Sequence, residues 1–262
     1  MSCRYTRISY CLLAGLGAVL LSCSGNQHGR PDDVPEASGA SVRFINLSPD
    51  SPALAIYLNR EGTRVATLAF GEGCPYLSIE AGLLSVRAYP DGMGGIPEDR
   101  TYPLDVTVDA YPGFMGTVVI YGPFETLEAL TLDEPTDEQD ANMVPFPPPR
   151  IGVAHVALDL GPVDVYMYTD LVRSWMDTDE DRLELVYADL EYAATTGFFP
   201  RYTTSLLALD EDGDGQVDLR FDLSSSRVTD VTTLLLVTDT PGSPLVVAFN
   251  ADSVTTIAGA FE

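Results

Sequence analysis

From Ser41 to Asp133 apolar residues fall into short runs separated by turn signals, and no segment holds a helical period. "SVRFINL" alternates, with Val42, Phe44 and Asn46 on one face; "SPDSP" is a turn; "ALAIYLN" is a second short strand. The runs "RVATLAF", "CPYLSIEAG", "LLSVRAYPDG", "TYPLDVTVDAYPG", "FMGTVVIYG" and "LEALTLDE" follow at intervals of about eight to twelve residues, divided by Gly, Pro and Asp. That spacing predicts an antiparallel β-sandwich.

The stretch "DEPTDEQDANMVPFPPPR" breaks the pattern with acids and then prolines, and reads as a linker over 134–149. Afterwards the pattern restarts. "VRFINLSPDSPALAIYLN" and "IGVAHVALDLGPVDVYMYT" share a strand, a turn and a second strand, while "VATLAFGEG" parallels "YADLEYAAT" and "FMGTVVIYG" parallels "VTTLLLVTD". The expectation is an all-β chain of two tandem Ig-like antiparallel sandwich modules, 41–133 and 150–262.

The N-terminus adds an address. Arg4 and Arg7 precede an apolar run, Cys11 to Leu21, too short to span the roughly 30 Å of a bilayer core. The run ends in "LLSC", similar to a bacterial lipobox, so 1–22 reads as a signal peptide, Cys23 as the lipidated (palmitate-bearing) residue and 23–40 as a flexible tether. An ordinary signal peptide that happens to contain a cysteine is the alternative. On the lipoprotein reading the partner is a membrane, and Ser24 in place of Asp points to the outer one. Cys74 is then the sole free thiol, a small packed residue in a strand-rich fold.

Charge narrows the partners. The formal net charge is −25 over 262 residues, all 14 basic residues are arginine, and such a surface excludes nucleic acid, which needs clustered cations. A salty habitat and a GC-rich genome explain this composition equally well.

The motifs "NLSPDSPALAIYLN", "LAFGEGCPYLSIEAGLLSVRAYP", "GTVVIYG" and "LEALTLDE" resemble the family called domain of unknown function 4397. The first module departs from the family pattern with Asn46 where His is common and Ala55 where Asp is common. The second supplies His155 and Asp164 there but lacks the Ser-Pro-Asp turn and carries the insertion "LVRSWMDTDEDRLEL". The resemblance implies an exported protein, often lipid-anchored, and assigns no chemistry.

In "LDEDGDGQVD", Asp210, Asp212 and Asp214 recur every second residue before Gly215, with Gln216 and Asp218 at the seventh and ninth places of a calcium loop. Phe221 stands where an EF-hand needs a bidentate Glu, and the flanks alternate as strands. A structural Ca2+ held by Asp210, Asp212, Asp214, the Gln216 carbonyl and Asp218, or a cation-free acidic hairpin turn, both satisfy the pattern. Asp177, Asp179 and Asp181 form a poorer copy with Arg182 at the glycine place. Of two histidines, His28 lies in the tether, and His155 shares a face with Val153 and Ala157 as a structural residue would. No catalytic residue is assigned. The reading is a non-catalytic binding or adhesion module of the cell envelope, with a protein or carbohydrate partner; the alternatives are a structural or assembly component and a hydrolase accessory.

Overall fold

The computed structural model describes residues 39–59, 63–92, 103–134, 150–168, 183–200, 206–223, 231–240, 243–249, 254–258 and 260–261. The signal peptide, Cys23, the tether to residue 38, the linker from 135 to 149 and the stretch with Asp177, Asp179 and Asp181 lie outside them. Nearly every described element is a strand.

The first sandwich holds β1 (Gly39–Asn46), β2 (Leu54–Leu58), β3 (Thr63–Leu68), β4 (Leu77–Glu80), β5 (Gly82–Pro90), β6 (Leu104–Ala110), β7 (Met115–Tyr121) and β8 (Glu128–Asp133). One sheet runs β4-β1-β7-β8 and the other β3-β2-β5-β6. The second holds β9 (Arg150–His155), β10 (Val163–Tyr168), β11 (Leu183–Leu190), β12 (Ala194–Pro200), β13 (Leu206–Asp210), β14 (Leu219–Asp222), β15 (Val231–Thr240), β16 (Ser243–Phe249), β17 (Val254–Ala258) and β18 (Ala260–Phe261). Its sheets run β12-β9-β15-β16-β17 and β11-β10-β13-β14-β18, the same order extended by one strand each. Pairing is antiparallel except for one parallel pair per sandwich, β1 with β7 and β9 with β15. Such a pair joins strands far apart in sequence, so local turn signals do not announce it.

The registers match as well as the orders. Asn46 lies opposite Ile120 and His155 opposite Leu236, which makes Asn46 and His155 equivalent. Met115 is opposite Ser41 and Val231 opposite Arg150, so "MGTVVIYG" aligns with "VTTLLLVT", one residue along from the pairing that the two sequence runs suggest. The turn after each second-edge strand also repeats: the Gly71 N–H donates to the Asn46 carbonyl at 2.8 Å, and the Ala193 N–H donates to the His155 carbonyl at 2.8 Å. Both turn residues are left-handed, Gly71 at φ 75° and Ala193 at φ 62°.

Three apolar cores stack in series. Val42, Phe44, Ile56, Val86, Val118 and Ile120 lie in the first sandwich, and Val153, Val165, Leu207, Phe221, Leu234 and Val246 in the second. The third core joins them: Ile45, Leu47, Val119 and Tyr121 from β1, β7 and the turns after them pack with Ala154, Val156, Leu235, Val237 and Val247. The two inner sheets are thus covered on both faces. Their strands lack polar alternation, as "VVIY", "LLLV" and "LVV" show, whereas the solvated outer strand "LDVTVDA" alternates. Ile45 with Ala154, Leu47 with Val156 and Val119 with Leu235 are equivalent pairs, so the seam uses the same surface of each sandwich, as a two-fold dimer interface does.

Candidate binding face and acidic loop

The outer sheet of the second sandwich turns its far side to solvent. In β10, Val165 and Met167 are fully buried, which points Tyr166 outward, opposite Leu185 of β11. The register slips between Val165 and Tyr166, leaving Val186 to pack against the core while Leu185 and Tyr187 on either side of it are 46% and 38% exposed. Tyr166, Leu185 and Tyr187 therefore form an apolar and aromatic strip along a sheet edge. Acids flank the strip: Asp164 accepts the Asp189 N–H at 2.8 Å. Burial, and after it the charges of Asp164, Asp210 and Asp214, push the Tyr166 hydroxyl above its ordinary pKa.

The acidic loop joins β13 to β14 at the end of that sheet. Leu209, Leu219 and Phe221 are fully buried, so the flanks are strands and Phe221 is a core residue. The Asp210 carboxylate, itself buried, accepts backbone N–H groups from Asp212, Gly213 and Gly215 at 3.2, 2.8 and 2.7 Å. Gly213 and Gly215 supply the positive φ angles, 71° and 85°, that curl the chain round it. Asp218 accepts the Glu211 N–H at 2.8 Å, and the carboxylates of Asp210, Asp212 and Asp218 converge with oxygens within 4.8 Å of one another. Asp214 stands outside that group. Its oxygens accept the Gln216 N–H and side-chain amide at 2.7 and 3.0 Å. Burial, and after it the neighbouring Asp218 charge, raise the Glu211 pKa.

His155 is a structural hinge pin. Its Nδ1 accepts the Ala157 N–H at 3.3 Å and its Nε2 donates to the Gly161 carbonyl at 2.9 Å, a neutral imidazole engaged at both nitrogens. Asn46 does the same work in the first sandwich, accepting the Ser48 N–H and donating to the Leu68 carbonyl. Burial pushes the His155 pKa down. Since the unfolded imidazole has a pKa near 6.5, its share of stability is complete above about that pH and is lost as pH falls toward the lower folded value. The expected result is a melting midpoint that drops between pH 7.5 and 5.5 in wild type and less so in His155→Asn, measured by circular dichroism.

A buried polar cluster escaped the sequence reading. Arg43 donates to Thr117 Oγ1 at 2.7 Å and to Glu134 Oε1 at 2.8 Å, with its guanidinium 4.7 Å from the centre of the Tyr76 ring. Tyr76 and Thr117 also donate to Glu134. Burial, then the Glu134 charge, raise the Tyr76 hydroxyl pKa. Cys74 packs against the first core and its sulfur accepts the Phe44 N–H at 3.3 Å; burial raises the thiol pKa, as befits an inert packing residue.

Residues 40–167 match the family model described as Domain of unknown function (DUF4397). That segment carries the DUF4397 domain. The match runs through the whole first sandwich and on through β9 to Met167 near the end of β10, so it includes both Asn46 and His155. No curated protein matches the sequence significantly. Among solved structures, one reported for α-glucan binding by a streptococcal virulence factor shares 12% identity over 78% of this chain and 95% of its own, with a TM-score of 0.24. The family CBM26 module of Eubacterium rectale Amy13K, solved with maltoheptaose, shares 13% identity over 82% of this chain and 100% of its own, with a TM-score of 0.25. At these values no residue of this chain is assigned from them.

Proposed function

We propose that this chain is a non-catalytic binding protein of the bacterial cell envelope, anchored in the outer membrane by lipid on Cys23, that presents the outer face of its second sandwich to a neutral polysaccharide. The strip of half-buried Tyr166 with exposed Leu185 and Tyr187 carries the reading. Tyrosine rings offer rigid apolar faces for sugar C–H groups, and the flanking carboxylates of Asp164 and Asp214 accept hydroxyl hydrogens. A net charge of −25 repels anionic polymers and leaves neutral ones. Co-sedimentation of the chain with granular starch and with calcium alginate tests this. The neutral polymer is expected to retain the protein and the anionic one to leave it in solution; retention by alginate alone would overturn the choice of polymer.

In the same reading Ca2+ pins the loop beside the strip, with Asp210, Asp212 and Asp218 supplying carboxylates. Three convergent carboxylates repel one another, and a divalent cation relieves that repulsion. Affinity on the order of 10⁻⁴ to 10⁻³ M is expected of an extracellular module. A melt in about 5 mM calcium should rise by a few degrees over one in chelator, and Asp212→Ala should abolish the rise. An unchanged wild-type midpoint would leave the loop as a hairpin closed by backbone amides alone.

A further inference from the structure

We infer that the end of the first sandwich at which β1 begins, tipped by Leu83 and Tyr111, rests on a zwitterionic lipid surface; the inference rests on the reading of Cys23 as a lipid anchor. Strand pairing gathers two turns around Gly39, the first residue of β1. Gly39 lies opposite Glu80 at the end of β4, the chain passes through Ala81 into β5, and Gly82 lies opposite Ala110 at the end of β6. The Phe114 N–H donates to the Tyr111 carbonyl at 2.9 Å and the Gly113 N–H to the Gly39 carbonyl at 3.0 Å. The turn from β6 to β7 thus closes directly against Gly39.

Both turns carry apolar tips. Leu83 is 75% exposed, more than any other large apolar side chain among the described residues. Leu84 beside it points into the core, so the alternation of β5 sends Leu83 outward, opposite Asp109 of β6. Tyr111 is 45% exposed yet held: its hydroxyl donates to Asp133, and its ring meets the Phe114 ring edge-on with centres 5.4 Å apart. Ala81, Gly82, Pro112 and Gly113, which complete the tips, carry no charge. An aliphatic side chain and a tyrosine whose hydroxyl stays with a polar partner suit a bilayer interface, where leucine enters the acyl boundary and the ring sits among headgroups. Glu80, Asp109 and Asp133 are exposed around the tips, so anionic lipid is repelled and headgroups bearing an ammonium are favoured.

Chain length chooses the occupant. Cys23 precedes Gly39 by sixteen residues, which reach at most about 55 Å. The tips are therefore confined near the bilayer that holds the anchor, at an effective concentration on the order of millimolar. A contact too weak to bind a free protein suffices there, whereas a second copy has to find the tips by diffusion. The contact uses none of Tyr166, Leu185 and Tyr187, which belong to the other sandwich.

The test places the lipid-bearing chain on phosphatidylcholine vesicles that contain a spin-labelled quencher lipid. A dye is carried on Pro112→Cys at the tip or on Glu125→Cys beyond the far end of β7, with wild type giving the Cys74 background. Flotation with the vesicles reports the anchor by itself. The expected result is quenching at position 112 and not at 125. Leu83→Asp should shift the tips about tenfold toward the free state, with no change in melting midpoint because Leu83 packs against nothing in the core. Exchanging half of the lipid for phosphatidylglycerol should also weaken quenching. In a chain that floats, equal quenching at the two positions, or quenching at 112 that survives Leu83→Asp, would overturn the contact and leave the anchor standing. A chain that does not float overturns the anchor and the contact with it. A signal at 112 that follows protein density rather than quencher lipid would give the tips to a second copy instead.

Discussion

Replacing Glu134 by alanine is expected to cost about 3–5 kcal/mol of folding stability, read as a shift of the urea midpoint. Arg43 is 4% exposed, and its guanidinium loses the carboxylate that balances it, while Tyr76 and Thr117 lose an acceptor at the same moment. Most of the loss comes from removing a close counter-charge from a buried guanidinium rather than from the worth of the pair itself. Replacing Arg43 and Glu134 together by methionine should therefore recover much of it. A Glu134→Ala protein within about 1 kcal/mol of wild type would show that the cluster opens to water and is not the buried clamp described above.

Val119→Asp is expected to have an effect of similar size but a different form. Val119 is fully buried in the seam, packed with Leu235, Val237 and Val247, and a carboxylate there enters an apolar core. The cost of burying it is several kcal/mol, on the order of what a bare polar group pays in an apolar setting. The seam gives way before the sandwiches, because each retains its own core. The expected readout is two unfolding transitions in place of one, with dye-binding apolar surface exposed between them. A single unshifted transition would mean that the shared core contributes nothing to the coupling of the halves.

Much of the fold was legible because local signals carry it. The turn at "SPDSP", the alternation of "LDVTVDA" and the strands on each side of the acidic loop needed only near neighbours, and Phe221 and His155 face the core as their alternation requires. The shared core was half legible. "VVIY" and "LLLV" announce strands covered on both faces, but periodicity names no partner for the second face. Arg43 and Glu134 lie 91 residues apart, and only the parallel pairing of β1 with β7 and the β7–β8 hairpin bring them together.

The loop and the strip differ in the same way. Aspartates at every second residue are visible in the sequence, yet Asp214 turns to Gln216 rather than inward, a choice made by the curl at Gly213 and Gly215. The strip also depends on how β11 pairs with β10 across a register slip, which alternation along one strand does not give. The apolar tips beside Gly39 are further still from the sequence, since only the pairing of β5 with β6 brings Leu83 to Tyr111.

The most direct test of the binding face is gel retardation of the full chain in soluble starch, comparing wild type with Tyr166→Ala/Tyr187→Ala in the presence of calcium. The strip predicts that starch slows wild type and that the double variant, unaltered in its melting midpoint, runs as it does without starch. Equal retardation of the two proteins, or none of either, would contradict the assignment of the second sandwich's outer face as the surface that binds.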